Sequence, residues 1–140
     1  MRQPGWMRST ILLALLLTSC IFEGDSETDI DKVKGYTRFL DIPGTATQFH
    51  DNYLSWQSDR EFISFRDSRL NIDKFIKANT VNLSEEKFRV YANLNESWWI
   101  KDDRLANRKS YYAKGFTFLT VLLRDDPKGS TIWAVESSGN

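Results

Sequence analysis

Few side chains in this sequence have the types and spacing that catalysis requires. A nucleophilic triad needs a general base beside its nucleophile, and the chain contains a single histidine, His50, which is followed by Asp51. No Gly-x-Ser-x-Gly turn presents a serine nucleophile. The single cysteine, Cys20, lies at the end of an amino-terminal leader, and its position there indicates a role other than catalysis. We therefore expect His50 to be a solvated strand or loop residue, and the protein to be non-enzymatic.

The sequence also lacks the ligand patterns of metal and cofactor sites. One histidine and one cysteine exclude the spacing of a typical zinc site. The acidic pairs Asp102-Asp103 and Asp125-Asp126 lack EF-hand spacing, and the second pair lies in a predicted turn, where Asp is common. The seven glycines are scattered and form no phosphate-binding loop. We therefore expect no metal ion and no cofactor, although the 19 acidic residues still permit a lysozyme-like carboxylate pair.

The single cysteine ends an amino-terminal leader. The first ten residues contain Arg2 and Arg8 and no acid, and residues 11–17 are all apolar. A positive start, a short apolar run and small residues after it are typical of a bacterial secretion signal. Because a helix needs about 20 residues to span the hydrocarbon core of a bilayer, this run is too short to be a permanent transmembrane anchor.

The end of the leader, Leu17-Thr18-Ser19-Cys20, resembles the lipobox of bacterial lipoproteins. That resemblance implies a diacylglycerol thioether on Cys20, cleavage before Cys20, and acylation of the new amino end with a fatty acid such as palmitate. Two or more acyl chains hold a protein stably on a membrane. Ile21 follows the cysteine, whereas Asp at that position favours inner-membrane retention, so we expect the periplasmic face of the outer membrane.

The leader and the composition behind it predict three regions. Residues 1–19 are the signal peptide, residues 20–34 are the lipidated cysteine with an acidic, flexible tether, and residues 35–140 form a single domain. Without Arg2 and Arg8, 17 basic residues stand against 19 acidic ones, which gives a net charge of −2. A nucleic-acid partner usually requires a strongly basic face, so we expect none.

Turn signals and periodicity predict the first elements of the domain. Residues 45–56 and 61–66 alternate as two strands and are joined by a turn at 57–59, which together predict a hairpin. Four residues then follow helical spacing, with Ser68 or Asn71 as the N-cap of a short helix; they are Ile72, Phe75, Ile76 and Asn79.

The later elements are less uniform. The segment 85–93 has a helix-like start at Ser84 but also alternates as a strand would, so both interpretations stay open. A charged loop is predicted over 101–109. The apolar run 116–123 predicts an interior strand covered on both faces, and a turn at 125–129 with a strand over 131–135 completes a second hairpin.

These elements predict an α+β fold: a small antiparallel sheet with hairpins at both ends and one or two short helices packed on one face. The order of Asp41-Ile42-Pro43, the hairpin, the helix, Trp98-Trp99 and the terminal hairpin is similar to that of small uncharacterised bacterial lipoproteins. This resemblance implies the same architecture and adds no activity.

Paired aromatic residues are the candidate partner-binding set: Trp98, Trp99, Tyr111 and Tyr112. Adjacent residues of an extended segment point to opposite faces, so we expect one member of a pair to be exposed. Exposed Trp and Tyr are typical anchors of protein interfaces and also stack on sugar rings. The charged loop 101–109 would form a polar rim between the two pairs.

The sequence thus favours a lipid-anchored, periplasm-facing module that binds an unidentified envelope protein, with an immunity or inhibitor protein as one version. A structural or accessory subunit of an envelope assembly is the alternative. A peptidoglycan- or glycan-acting hydrolase that uses a carboxylate pair is the third hypothesis.

Overall fold

Strands form most of the regular structure in the part of the chain that the structure describes. The computed structural model describes residues 28–55, 59–83, 94–114 and 117–138. Its elements in chain order are helix α1 (Ile30–Lys34), strands β1 (Thr47–Leu54) and β2 (Arg60–Asp67), helix α2 (Arg69–Asn79), a 3-10 turn (Asp103–Leu105), and strands β3 (Asn107–Ala113), β4 (Thr117–Asp126) and β5 (Gly129–Ser137).

The five strands form one antiparallel sheet in the order β1-β2-β5-β4-β3. The two predicted hairpins are present as the pairs β1–β2 and β4–β5. The predicted apolar strand lies inside the sheet as β4, and its residues 119–123 are buried in succession. Five antiparallel strands with two short helices make a mostly β structure, which is compatible with the predicted α+β class.

Both faces of the sheet carry apolar side chains, because successive residues of a strand point to opposite sides. The face that carries Ile63, Leu119 and Ile132, called the first face here, belongs to one hydrophobic cluster. The face that carries Phe62 and Trp133, called the second face, belongs to another. Because both faces are apolar, the inner strands do not show a regular alternation of apolar and polar residues.

Helix α2 begins after Ser68, one of the two N-caps that its sequence predicts. The Ser68 side chain accepts a hydrogen bond from the backbone N–H of Asn71 (3.3 Å), which satisfies a free donor at the helix start. The four residues with helical spacing are all buried. Phe75 contacts the ring of Phe65 edge-on, with 5.2 Å between the ring centroids, so the apolar stripe of α2 joins the first-face cluster.

The folded region begins before Gly35, and the predicted tether is too long at its carboxyl end. Residues 30–34 form α1 instead, capped by the Asp29 side chain, which accepts from the backbone N–H of Asp31 (3.0 Å). Val33 is fully buried in the first-face cluster, and Ile30 packs against it. This short helix uses only two apolar residues to contact the core. Two apolar residues within an acid-rich run are too few to show helical periodicity in the sequence.

The predicted charged loop 101–109 is shorter than expected. Its last three residues belong to β3, which pairs with β4 from Asn107 opposite Leu123 to Ala113 opposite Thr117. Edge strands tolerate charged side chains. Because Arg108 and Lys109 are charged, the sequence predicted a loop here, whereas long-range pairing with β4 stabilises a strand.

Several predictions fall on residues that lie outside those described. They concern the leader with Cys20, most of the tether, the end of the first predicted strand with its turn at residues 56–58, and the segment 85–93.

Candidate functional site

A segment without strand structure, residues 94–100, lies against the second face and carries the tryptophan pair. The indole N–H of Trp133 in β5 donates to the Trp98 carbonyl (3.0 Å). The Lys101 ammonium donates to the carbonyl of Glu96 (2.6 Å) and to that of Leu94 (3.3 Å). These hydrogen bonds fix the backbone on which Trp98 stands.

The two tryptophans have different environments. Trp99 is 2% exposed and contacts Phe62 edge-on, with ring centroids 5.1 Å apart. Trp98 is partly exposed and stacks nearly parallel to the imidazole of His50, with ring centroids 5.2 Å apart and planes 9° apart. Beside them, the Asn52 amide donates to the Glu96 carboxylate (3.1 Å). We call His50, Asn52, Glu96 and Trp98 the Trp98 surface.

The two tyrosines lie on opposite faces of the edge strand β3, as strand alternation predicts. Tyr111 is 6% exposed and belongs to the first-face cluster. Tyr112 is 48% exposed and lies opposite Phe118 on the second face, with ring centroids 5.8 Å apart.

The structure therefore does not bring the four predicted aromatic residues together. Trp99 and Tyr111 belong to different hydrophobic clusters. Trp98 and Tyr112 share the second face, but Trp98 stacks on the edge strand β1 and Tyr112 belongs to the other edge strand, β3. Each is a separate candidate contact, and Trp98 has the more rigid support.

His50 was expected to be a solvated strand or loop residue; it is a strand residue, but it is only partly exposed to solvent. It lies in β1, pairs with Ser64 of β2 and is partly buried by Trp98. The residue type alone gave no signal for this contact, because the two rings are 48 positions apart in the chain.

The predicted acidic pairs form ion pairs with arginines. Asp102 accepts from the Arg104 guanidinium (2.9 Å), whose hydrogen bond holds the pKa of Asp102 below its usual value. Asp125 pairs with Arg69 (2.8 Å), and Asp126 pairs with the guanidinium of Arg66. Among the described residues, no group of three or more His, Cys, Asp or Glu side chains is placed to hold a metal ion.

A pair of buried carboxylates is the feature that sequence reasoning missed. Glu61 in β2 and Glu136 in β5 are directly opposite each other, and they are 5% and 6% exposed. Glu61 accepts from the Thr37 hydroxyl and from the Arg38 backbone N–H (3.1 Å). Glu136 accepts from the Thr117 hydroxyl (2.9 Å). Burial raises the pKa of Glu136, and the negative charge of Glu61 raises it further.

A signal for this pair exists in the sequence. Glu61 precedes Ile63 by two positions, and Glu136 follows Ala134 by two, so strand alternation places both acids on the apolar first face. Such inward-facing charged residues are uncommon and mark a position for closer inspection.

Two more residues after α1 interact with carboxylates. The Arg38 guanidinium lies 3.3 Å from the Asp59 carboxylate. The Tyr36 hydroxyl donates to Asp51 (2.7 Å), and this hydrogen bond raises the pKa of Tyr36 to about 12. The segment that follows α1 is thus tied to the sheet by carboxylates.

A cavity of about 380 Å³ lies beside α2, over strands β3 and β4. Its buried lining residues are apolar and its charged lining residues are exposed, and neither the Trp98 surface nor the carboxylate pair lines it.

Comparisons with models of known protein families, with curated proteins and with solved structures give no significant match. In the described part of the chain, the helices are too short or too polar to cross a membrane.

Proposed function

We propose that this chain is a lipid-anchored envelope protein that faces the periplasm and binds another envelope protein through the Trp98 surface. The lipobox-like leader supports the anchor, which would attach the protein through an acylated Cys20 to the outer membrane. The stacked, partly exposed Trp98 is the observation that carries the binding role.

The support of Trp98 suits an interface anchor. Its carbonyl is held by Trp133 and its ring lies on His50. Little side-chain entropy is then lost when a partner covers it, and aromatic residues that bury area at low entropic cost dominate binding energies. In this proposal α1 and α2 cover the first face, and the partner meets the second.

The identity of the partner separates two versions of the proposal. An immunity or inhibitor protein would bind a toxin or hydrolase, whereas an accessory subunit would bind a component of an envelope assembly. A glycan hydrolase would need two carboxylates flanking a substrate. Glu61 and Glu136 are instead buried and bonded to Thr37, Arg38 and Thr117, which favours the binding role.

The test compares single variants of the full lipidated protein in a pull-down from crosslinked envelope extracts. Trp98→Ala should lower the recovery of a specific partner by tenfold or more, as truncation of an interface hot spot does. Leu70→Ala is the matched control, because Leu70 is an exposed apolar residue on α2. Tyr112→Ala tests the other candidate contact.

Thermal unfolding of each variant establishes that the loss is not a folding defect. Unchanged recovery with both Trp98→Ala and Tyr112→Ala would refute the proposed binding surface. Loss with Tyr112→Ala alone would move the interface to the edge strand β3.

A further inference from the structure

The cavity beside α2 has an apolar interior and a polar mouth. Its apolar lining comes from four parts of the chain: Ile76 of α2, Leu83 after that helix, Tyr111 of β3, and Val121 and Leu123 of β4. Its polar lining consists of Arg69, Asp73, Asn107 and Lys109. The volume of about 380 Å³ falls in the range of sites for small molecules, which are typically apolar pockets with a few placed polar groups.

Of the two basic residues at the mouth, only Arg69 forms ion pairs with described residues. Arg69 donates to Asp73 (2.9 Å) and to Asp125 (2.8 Å), so the α2 side of the mouth is neutralised within the protein. Lys109 stands on β3, on the other side of the mouth, is exposed, and forms no ion pair with any residue that the structure describes. The lining residues therefore carry one unmatched positive charge, and the Asn107 amide beside it supplies further donors.

We propose that this cavity binds a small single-chain amphiphile with an anionic head group. Its apolar chain would lie on Tyr111, Val121 and Leu123, and its head group would meet the Lys109 ammonium and the Asn107 amide. A carboxylate and a phosphate share this chemistry, so a fatty acid and a single-chain lipid phosphate are the two sources to be distinguished. The site is independent of the Trp98 surface.

The apolar lining and the charge of Lys109 predict how affinity depends on the chain length and the head-group charge of the ligand. Burial of each additional methylene strengthens binding by about fourfold until the apolar lining is covered. Reversal of the head-group charge places like charges together at Lys109 and should weaken binding by about tenfold or more.

The experiment is isothermal titration calorimetry on the mature chain, residues 20–140, carrying Cys20→Ser. This substitution removes the proposed acylation site and avoids detergent that would compete for the cavity. The probes are hexanoate, octanoate and decanoate, with decyl phosphate, decylamine and decanol for the head group. Lys109→Gln removes the unmatched charge, and Lys128→Gln is the matched control in the exposed β4–β5 turn.

We expect one saturable site whose affinity rises with chain length and which prefers decanoate or decyl phosphate to decylamine. Lys109→Gln should weaken anion binding by about tenfold and leave decanol binding unchanged, which also shows that the variant is folded. Lys128→Gln should bind as the unsubstituted chain does. Tighter binding of decanoate than of decyl phosphate would assign a carboxylate ligand, and the reverse order a phosphate.

Absence of saturable binding, equal affinity for decylamine and decanoate, or equal effects of Lys109→Gln and Lys128→Gln would each overturn the proposal. None of these results bears on the Trp98 surface, because no residue of that surface lines the cavity.

Discussion

Replacement of Glu136 by Gln should stabilise this protein at neutral pH. Glu136 and Glu61 face each other across β2 and β5 with little exposure to solvent. Two negative charges placed directly opposite each other in a sheet destabilise it, and burial strengthens their repulsion. Glutamine has nearly the same shape, and its carbonyl oxygen can still accept the hydrogen bond that Thr117 now donates to Glu136.

The size of the gain follows from cross-strand pair energies. Charged pairs directly opposite each other in a sheet change stability by about 0.2–1 kcal/mol. Because this pair is nearly inaccessible to water, we expect a gain near the upper end, about 1 kcal/mol in the free energy of unfolding. That corresponds to a rise in melting temperature of roughly 4 °C for a domain of this size.

The gain should depend on pH in a defined direction. The pKa of Glu136 in the folded chain is raised above its ordinary value of 4.5. At a pH between 4.5 and this raised pKa, the folded chain therefore binds more protons than the unfolded chain. The contribution of this carboxyl to stability is therefore fully present below pH 4.5 and is lost as the pH rises through the raised pKa. The advantage of Glu136→Gln should be largest at pH 7 and disappear near pH 4.

The assay is urea unfolding followed by tryptophan fluorescence between pH 4 and pH 8. The matched control is Glu61→Gln, which removes the same repulsion but also weakens the charge-assisted hydrogen bonds from Thr37 and Arg38. It should therefore gain less than Glu136→Gln or lose stability. A Glu136→Gln variant that is less stable than the unsubstituted protein at pH 7, or whose difference is constant with pH, would refute the reasoning.

Three further predictions concern the core and the anchor. Asn79→Ala should lower the free energy of unfolding by about 2–3 kcal/mol in urea titrations. The buried Asn79 amide satisfies both backbone groups of Leu40 (2.7 and 2.8 Å) and the carbonyl of Phe75 (2.8 Å), and Asn79→Asp should not restore stability because it lacks the two donors. Phe75→Ala should cost about 3–5 kcal/mol, whereas the exposed Leu70→Ala should stay within about 0.5 kcal/mol; similar losses for both would contradict the assigned core. Cys20→Ser should move the protein from the membrane pellet to the soluble periplasmic fraction, and membrane retention after processing would contradict the lipid anchor.

Local patterns predicted the elements whose signals lie within a few residues. Both hairpins and α2 are present, and α2 has Ser68 as its N-cap. The separation of Tyr111 from Tyr112 by strand alternation is also confirmed. Each of these features depends on side-chain spacing along a single element, which a sequence displays directly.

The missed features depend on contacts between distant parts of the chain. α1 is short and acid-rich, and packing of Val33 stabilises it. The start of β3 is charged, and pairing with β4 stabilises it. Propensity is a weak guide where tertiary contacts supply most of the free energy.

The sequence by itself determined the types of the main elements and the side of a strand on which each residue lies, and it predicts a lipobox-like leader. Only the tertiary structure decided the strand order, which makes β5 the central strand and thereby places Glu136 opposite Glu61. It also decided that Trp98 stacks on His50 while Trp99 is buried. Periodicity fixes a side chain's direction within its own element, but neighbours across a sheet are set by pairing over long sequence separations.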